Sequence, residues 1–189
     1  MIKGTKTEQN LLKAFAGESQ ARNRYSMYAS IAKKEGFEKI AEVFQTTAAN
    51  EYQHAKLFFR KLEGGPCEIT ATYPAGNQGT TLENLEYAAE GEGEEAEIIY
   101  PEFARIAKEE GFDDISDLFN GIATIEAHHQ ERYKILYSLV KDYNFFNRVD
   151  EIEWECRECG YLHKGKTPPN VCPVCDHPQG FYQIKLDLF

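Results

Sequence analysis

The chain has 189 residues, with 31 acidic against 21 basic side chains and a net charge of −10. That balance argues against a nucleic-acid partner, whose phosphates call for Lys and Arg, and no apolar run approaches the roughly 20 residues of a membrane span. The length suits one core of about 150 residues and a small appendage.

The first residues, Met1-Ile-Lys-Gly-Thr-Lys6, carry no apolar stretch of the kind a secretion signal needs, so a cytoplasmic protein is expected. Apolar residues at helical spacing (Leu12, Phe15, Ala16; then Ile40, Val43, Phe44, Leu57, Phe58, Leu62) predict helices over 5–33 and 37–63. The connection at Glu35-Gly36-Phe37 is short, so these two helices run antiparallel. Gly64-Gly65-Pro66 is expected to stop the second helix. Residues 65–80 carry two prolines and several glycines and read as a long crossover rather than a tight turn. Thr81 is the expected cap of a third helix reaching about Glu109, and Gly111-Phe112 turns the chain into a fourth, from Asp113 to about Tyr143. Charged residues 147–155 read as a linker to a C-terminal cysteine module.

The two helical hairpins are internal repeats. Ile31-Ala-Lys-Lys-Glu-Gly-Phe37 recurs as Ile106-Ala-Lys-Glu-Glu-Gly-Phe112, an offset of 75 that also relates Phe44 to Phe119, Tyr25 to Tyr100, Glu51 to Glu126 and His54 to His129. Gly17-Glu18 maps onto Gly91-Glu92 at an offset of 74. One extra residue therefore lies between Glu92 and Tyr100, and a π-bulge is expected to absorb it.

Height along the bundle brings the acidic groups together. Glu18 lies 18 residues before Gly36, and Glu51 and His54 lie 15 and 18 after it. Glu92 and Glu95 lie 19 and 16 before Gly111, with Glu126 and His129 15 and 18 after it. At 1.5 Å per residue all seven return to one level, roughly 25 Å from the turns. Each Glu-x-x-His pair shares a helix face. A lone Glu on a helix is ordinarily a solvated residue, but five carboxylates and two imidazoles at one level of a core need a counter-charge. Two divalent cations supply it, and mixed oxygen and imidazole donors suit Fe or Mn. Glu51 and Glu126 are placed to bridge and His54 and His129 to cap the two sides. Glu94 and Glu97 share the spacing of Glu92 and Glu95, which are the preferred register. Tyr25 and Tyr100 are either core aromatics or hydrogen-bond partners of the site.

Four of the five cysteines form two C-x-x-C knuckles, Cys156/Cys159 and Cys172/Cys175. Without a secretion signal such knuckles read as a tetrahedral four-thiolate site for Zn or a single Fe, rather than as disulfides. Iron is favoured, because a one-electron centre beside a two-metal oxidant site has a purpose. Trp154, Tyr161 and Phe181 are the expected aromatic core of this module. Cys67 reads as an ordinary free thiol.

These motifs resemble the rubrerythrin family end to end. The matching stretches are Ala14-Phe-Ala-Gly-Glu-Ser-Gln-Ala21, Glu51-Tyr-Gln-His54, Gly91-Glu-Gly-Glu-Glu95 with Tyr100-Pro-Glu-Phe-Ala104, Glu126-Ala-His-His129, Cys156-x-x-Cys-Gly-Tyr161 and Cys172-Pro-Val-Cys175. Ala96 departs from the aromatic that often follows the second Glu in the family. The resemblance implies an all-α, ferritin-like four-helix bundle over 1–146 and a rubredoxin-like iron domain over 147–189. It implies a di-iron peroxidase that reduces hydrogen peroxide to water, with metal ligands Glu18, Glu51, His54, Glu92, Glu95, Glu126 and His129 and catalytic roles for Glu95, His54, Glu51 and Glu126. One iron would exchange Glu95 for His54 on reduction. Electrons would come from NAD(P)H through a rubredoxin or a flavoprotein reductase. A homodimer or homotetramer is implied, with the four-cysteine iron (Cys156, Cys159, Cys172, Cys175) of one subunit near the di-iron site of another. The rival readings are a ferroxidase or iron store on the same bundle and a structural zinc protein.

Overall fold

The computed structural model describes residues 1–76 and 78–185; Asn77 of the crossover and residues 186–189 of the expected C-terminal domain lie outside the described residues. Helices α1 (Lys6–Lys34) and α2 (Glu38–Phe59) form the first hairpin. The second consists of α3 (Thr81–Glu94), a π-helical turn (Glu95–Ile99) and α4 (Tyr100–Glu109) in one continuous rod, followed by α5 (Asp113–Lys141).

Both hairpins turn by the same device. The N–H of Gly36 returns to the Lys33 carbonyl and that of Phe37 to Ala32, and 75 residues later Gly111 returns to Lys108 and Phe112 to Ala107. Both glycines sit at positive φ, +82° and +84°. This is the Schellman closure, which requires a left-handed residue just past the helix end.

Three boundaries differ from the sequence expectation. The cap of α3 is Thr80, one residue before the expected Thr81, because Thr80 and Glu83 exchange hydrogen bonds as a capping box. Thr81 is instead buried, and its amide donates to Glu35 at 2.9 Å. Helix α2 ends at Phe59, ahead of the glycines, because the amides of Lys61 and Leu62 reach only three residues back and tighten the last turn. The linker ends sooner than expected, since β1 (Ile152–Cys156) already contains Trp154 and Glu155.

The core lies in two aromatic layers related by the repeat. Phe44 packs on Tyr25 and Tyr133 with ring centroids 6.1 and 5.2 Å away, and Phe119 packs on Tyr100 and Phe58 at 5.9 and 5.0 Å. Each member of one trio is 75 residues from its counterpart in the other. Between the two layers lies the stratum of acidic and imidazole side chains.

In the C-terminal module β1 is the central strand, flanked by β2 (Leu162–Gly165) and β3 (Tyr182–Ile184), all antiparallel. Trp154 and Tyr182 fill its interior with Cys156 and Cys172. Tyr182, not the expected Phe181, is the buried aromatic; Phe181 is half-buried and rests on the His177 ring. The module docks on the α1–α2 turn. Phe37 stacks on Phe146 at 5.8 Å, Arg157 pairs with Glu42, and a β-carbon at Gly180 would clash with the carbonyl of Gly36.

Candidate metal centres

Helical register explains how each hairpin presents a carboxylate and a tyrosine inward. Glu18 and Tyr25 are seven residues apart, which at about 100° per residue is within about 20° of two full turns. Glu92 and Tyr100 are eight apart and would diverge by about 80° in a regular helix. The π turn absorbs the extra residue: the Tyr100 amide returns to the carbonyl of Glu95, five residues back. Both tyrosines then reach across the pseudo-twofold. Tyr25 donates to Glu92, and Tyr100 donates to Glu18. Of the two roles open to them from sequence, they fill both, as core aromatics and as partners of the acidic layer.

Six of the seven expected ligands converge in two overlapping groups. Glu18, Glu51, His54 and Glu126 form one, and Glu51, Glu92, Glu126 and His129 the other, each with donor atoms within 4.8 Å of one another and all buried. His54 Nδ1 lies 2.9 Å from Glu126 Oε1, 3.1 Å from Glu51 Oε2 and 3.6 Å from Glu18 Oε2. His129 Nδ1 lies 2.8 Å from Glu126 Oε2, 3.2 Å from Glu92 Oε2 and 3.4 Å from Glu51 Oε1. Glu51 and Glu126 therefore give one oxygen to each side, the disposition of two bridging carboxylates.

These donors fit a pair of cations better than they fit one another. Glu18 Oε2, Glu51 Oε1 and both Glu126 oxygens are buried without an aligned hydrogen bond, although imidazole nitrogens stand close by. Oxygens aimed past their neighbours at a shared point are what a metal would satisfy. Without metal, burial raises the carboxyls of Glu18 and Glu92 well above the usual range. Burial acts on Glu51 too, but the imidazoles of His129 and His54 outweigh it and hold that carboxyl down at about 2. His129 is pushed up to about 11, against its burial, by Glu126, Glu51 and Glu92.

Glu95 is the seventh expected ligand, and it belongs to neither group. At the first residue of the π turn it is half-buried at the edge of the layer, where burial, with Glu126 and Glu51 nearby, raises its carboxyl to about 8. Its oxygen would lie 3.8 Å from a β-carbon placed on Gly17.

The four cysteines form a third group. The Sγ atoms of Cys156 and Cys175, and of Cys159 and Cys172, are 3.7 Å apart. A disulfide requires about 2.05 Å, whereas a tetrahedron with metal–sulfur bonds of 2.3 Å has edges of about 3.8 Å. Burial opposes ionisation of Cys172, but amides led by that of Val174 outweigh it and lower the thiol to about 6. Against the pull of the His177 amide, burial and the neighbouring sulfurs push Cys175 up to about 12. Four thiolates this close need a cation. Left-handed residues at Gly160 and Asp176 close the two knuckles.

Sequence reasoning missed Phe58, Tyr133 and Tyr182 as site-supporting aromatics, although the 75-residue offset from Phe58 to Tyr133 was available as a signal. It also missed Tyr73, which no periodicity marks. Among the described residues no helix is long and apolar enough to cross a membrane.

The comparisons with known proteins agree with this architecture. The rubrerythrin family model matches residues 9–137, and the model of the rubrerythrin rubredoxin-like domain matches 154–183. Rubrerythrin of Porphyromonas gingivalis is 55% identical over 182 residues, covering 96% of this chain and 91% of that protein. A solved structure of fully reduced, all-ferrous nigerythrin is 32% identical with a TM-score of 0.64, covering 98% of this chain and 92% of that one. Bacterioferritin of Desulfovibrio desulfuricans, solved with its diiron site, superposes on 74% of this chain and 82% of its own with a TM-score of 0.63 at 25% identity. With a carboxylate and imidazole set for two irons inside a ferritin-like bundle, and four thiolates for a single iron in a rubredoxin-like module, the chain belongs to the rubrerythrin family.

Proposed function

We propose that this protein is a peroxidase that reduces hydrogen peroxide to two waters, consuming two electrons and two protons, and so protects against oxidative stress. One observation carries the reading: two four-donor groups sharing Glu51 and Glu126 lie in the same chain as a four-thiolate site. Irons held by these two groups would supply the electrons needed to reduce peroxide, and an iron held by Cys156, Cys159, Cys172 and Cys175 would supply one-electron chemistry to restore them.

The residues have distinct roles in this reading, with the bundle taken as 1–146 and the iron module as 147–189. Glu51 and Glu126 would be shared between the two metals, and Glu18 with His54 and Glu92 with His129 would complete the two sides. Tyr25 and Tyr100 fix the orientation of Glu92 and Glu18 through hydrogen bonds. The aromatic layers above and below exclude water. Glu95 would be the mobile ligand, exchanging with His54 on reduction; the reading is supported by its place at the edge of the layer, outside the two groups that hold the other six donors. In the same position it can hand a proton to the departing oxygen.

The cysteine module docks at the α1–α2 turn, and the acidic layer lies 15 to 18 residues further along α2, about 25 Å away. That separation favours a homodimer or homotetramer in which the module of one subunit serves the bundle of another. NAD(P)H, through a rubredoxin or a flavoprotein reductase, is the proposed ultimate donor.

Anaerobic stopped-flow mixing tests the reading. Peroxide should oxidise the reduced protein rapidly and O2 slowly; the reverse order would make it a ferroxidase. A Glu95→Ala variant should keep its helicity and lose most peroxide turnover, and undiminished turnover would remove Glu95 from the mechanism.

A further inference from the structure

A cavity of about 390 Å³ opens beside the first donor group. Lys13, Gly17 and Arg24 of α1 form one wall, Glu95 and Tyr100 form another, and Tyr73 on the crossover covers it. Tyr100 is the residue whose hydroxyl holds Glu18, so the inner wall of the cavity is the outer wall of the acidic layer. The chamber holds an unused donor as well. Arg24 Nη1 is buried and has no hydrogen-bond partner among the described residues. A guanidinium in such a place can donate to a peroxide oxygen.

The cover has an unusual construction. From residue 63 to residue 76 every side chain is exposed except that of Tyr73, which is half-buried. Its hydroxyl donates to the Lys13 carbonyl at 2.6 Å. Its ring edge would stand 3.4 Å from a β-carbon on Gly17, so the absence of a side chain at 17 leaves the space between Tyr73 and Glu95. One aromatic ring pinned to α1 thus closes the approach to the Glu95 side of the centre.

We infer that this cavity is the chamber through which peroxide reaches the metal centre, and that Tyr73, facing Gly17, sets the size of the hydroperoxide admitted. The inference rests on the peroxidase reading above. Hydrogen peroxide passes the gap, whereas a hydroperoxide bearing a tertiary alkyl group meets the ring. Tyr73 acts by steric selection and touches neither metal donor set.

The test compares the iron-loaded wild type with Tyr73→Ala, Tyr73→Phe and Gly17→Ala. In Tyr73→Ala the ratio of kcat/KM for tert-butyl hydroperoxide to that for hydrogen peroxide should rise at least tenfold. Tyr73→Phe, which keeps the ring and loses the tether, should raise it less. In Gly17→Ala the value for hydrogen peroxide should fall severalfold. A second readout needs no turnover: anaerobic release of ferrous iron from the bundle to 2,2′-bipyridine should be several times faster in Tyr73→Ala than in wild type. An unchanged hydroperoxide ratio or an unchanged release rate in Tyr73→Ala, with helicity intact, would overturn the inference. Absence of peroxide turnover in the wild type would instead defeat the peroxidase reading, while the iron-release comparison would still report on the cavity.

Discussion

In the bundle, six expected metal donors hang from four helical rods whose cores close on either side of them, with Phe44 and Phe119 fully buried. In the C-terminal module, two of the four buried core residues, Cys156 and Cys172, are themselves expected ligands. The bundle carries its acidic layer as a cost, because burying carboxylates opposes folding until cations arrive. The module has so little apolar interior that the metal is part of its core. The bundle therefore pre-forms a site, whereas the module is completed by one.

The largest expected effect separates the two centres directly. Trp154 is the sole tryptophan of the chain and is fully buried under the cysteines, so its fluorescence reports on the module alone. A Cys172→Ala variant should forfeit metal-coupled folding energy on the order of 10 kcal/mol. Its Trp154 emission should shift to that of an exposed indole while the helical circular dichroism remains. A Trp154 that stays buried would show that the module folds without its metal and would break the contrast.

The second test uses the metal-free bundle. Glu18 and Glu92 are raised by burial, Glu95 to about 8 by burial with Glu126 and Glu51, and His129 to about 11 by the carboxylates around it. Each of these groups binds its proton more tightly folded than unfolded, so folding stability falls as pH rises from about 4.5 for the carboxyls and about 6.5 for the imidazole. Glu51, held at about 2, acts oppositely, and its contribution disappears as pH falls from about 4.5 towards 2. Thermal unfolding of chelator-treated protein should thus show a Tm that drops between pH 5 and pH 8. Iron loading should abolish or reverse the slope, because metal replaces the protons. A flat profile without metal would mean that the acidic layer relaxes open to solvent.

The smallest effect sharpens a comparison within the bundle. Tyr25→Phe removes the hydrogen bond to Glu92, and Tyr100→Phe the one to Glu18. Each should weaken ferrous iron binding by about tenfold, the lower end for an outer partner of a ligand, as read by competition with a chelator of known affinity. Equal losses support the pseudo-twofold; a large inequality would show that the π turn makes the two sides energetically different.

Much of this was legible in the chain itself. The Glu-x-x-His pairs at an offset of 75, the slip to 74 before Glu92, and the paired C-x-x-C knuckles implied the two donor groups, the π turn and the four-thiolate site. The position of Glu95 was less legible, because a residue at the start of a π turn no longer follows the regular 3.6-residue face on which its expected place was reckoned. The early stop of α2 and the early start of β1 escaped for a different reason. Local winding at Lys61 and the pairing of Trp154 with His163 and Ile184 outweighed the glycine and charge signals in the sequence.

What the sequence determined by itself was the common level and inward facing of the six clustered carboxylates and imidazoles, since helical periodicity converts spacing along the chain into direction in space. What only the tertiary structure decided was which oxygen of Glu51 and Glu126 serves each side, where Glu95 rests, and that Tyr73 closes the cavity over Gly17. The reason is physical: those features depend on contacts between segments far apart in the chain, and in a crossover without regular backbone no period exists to announce them.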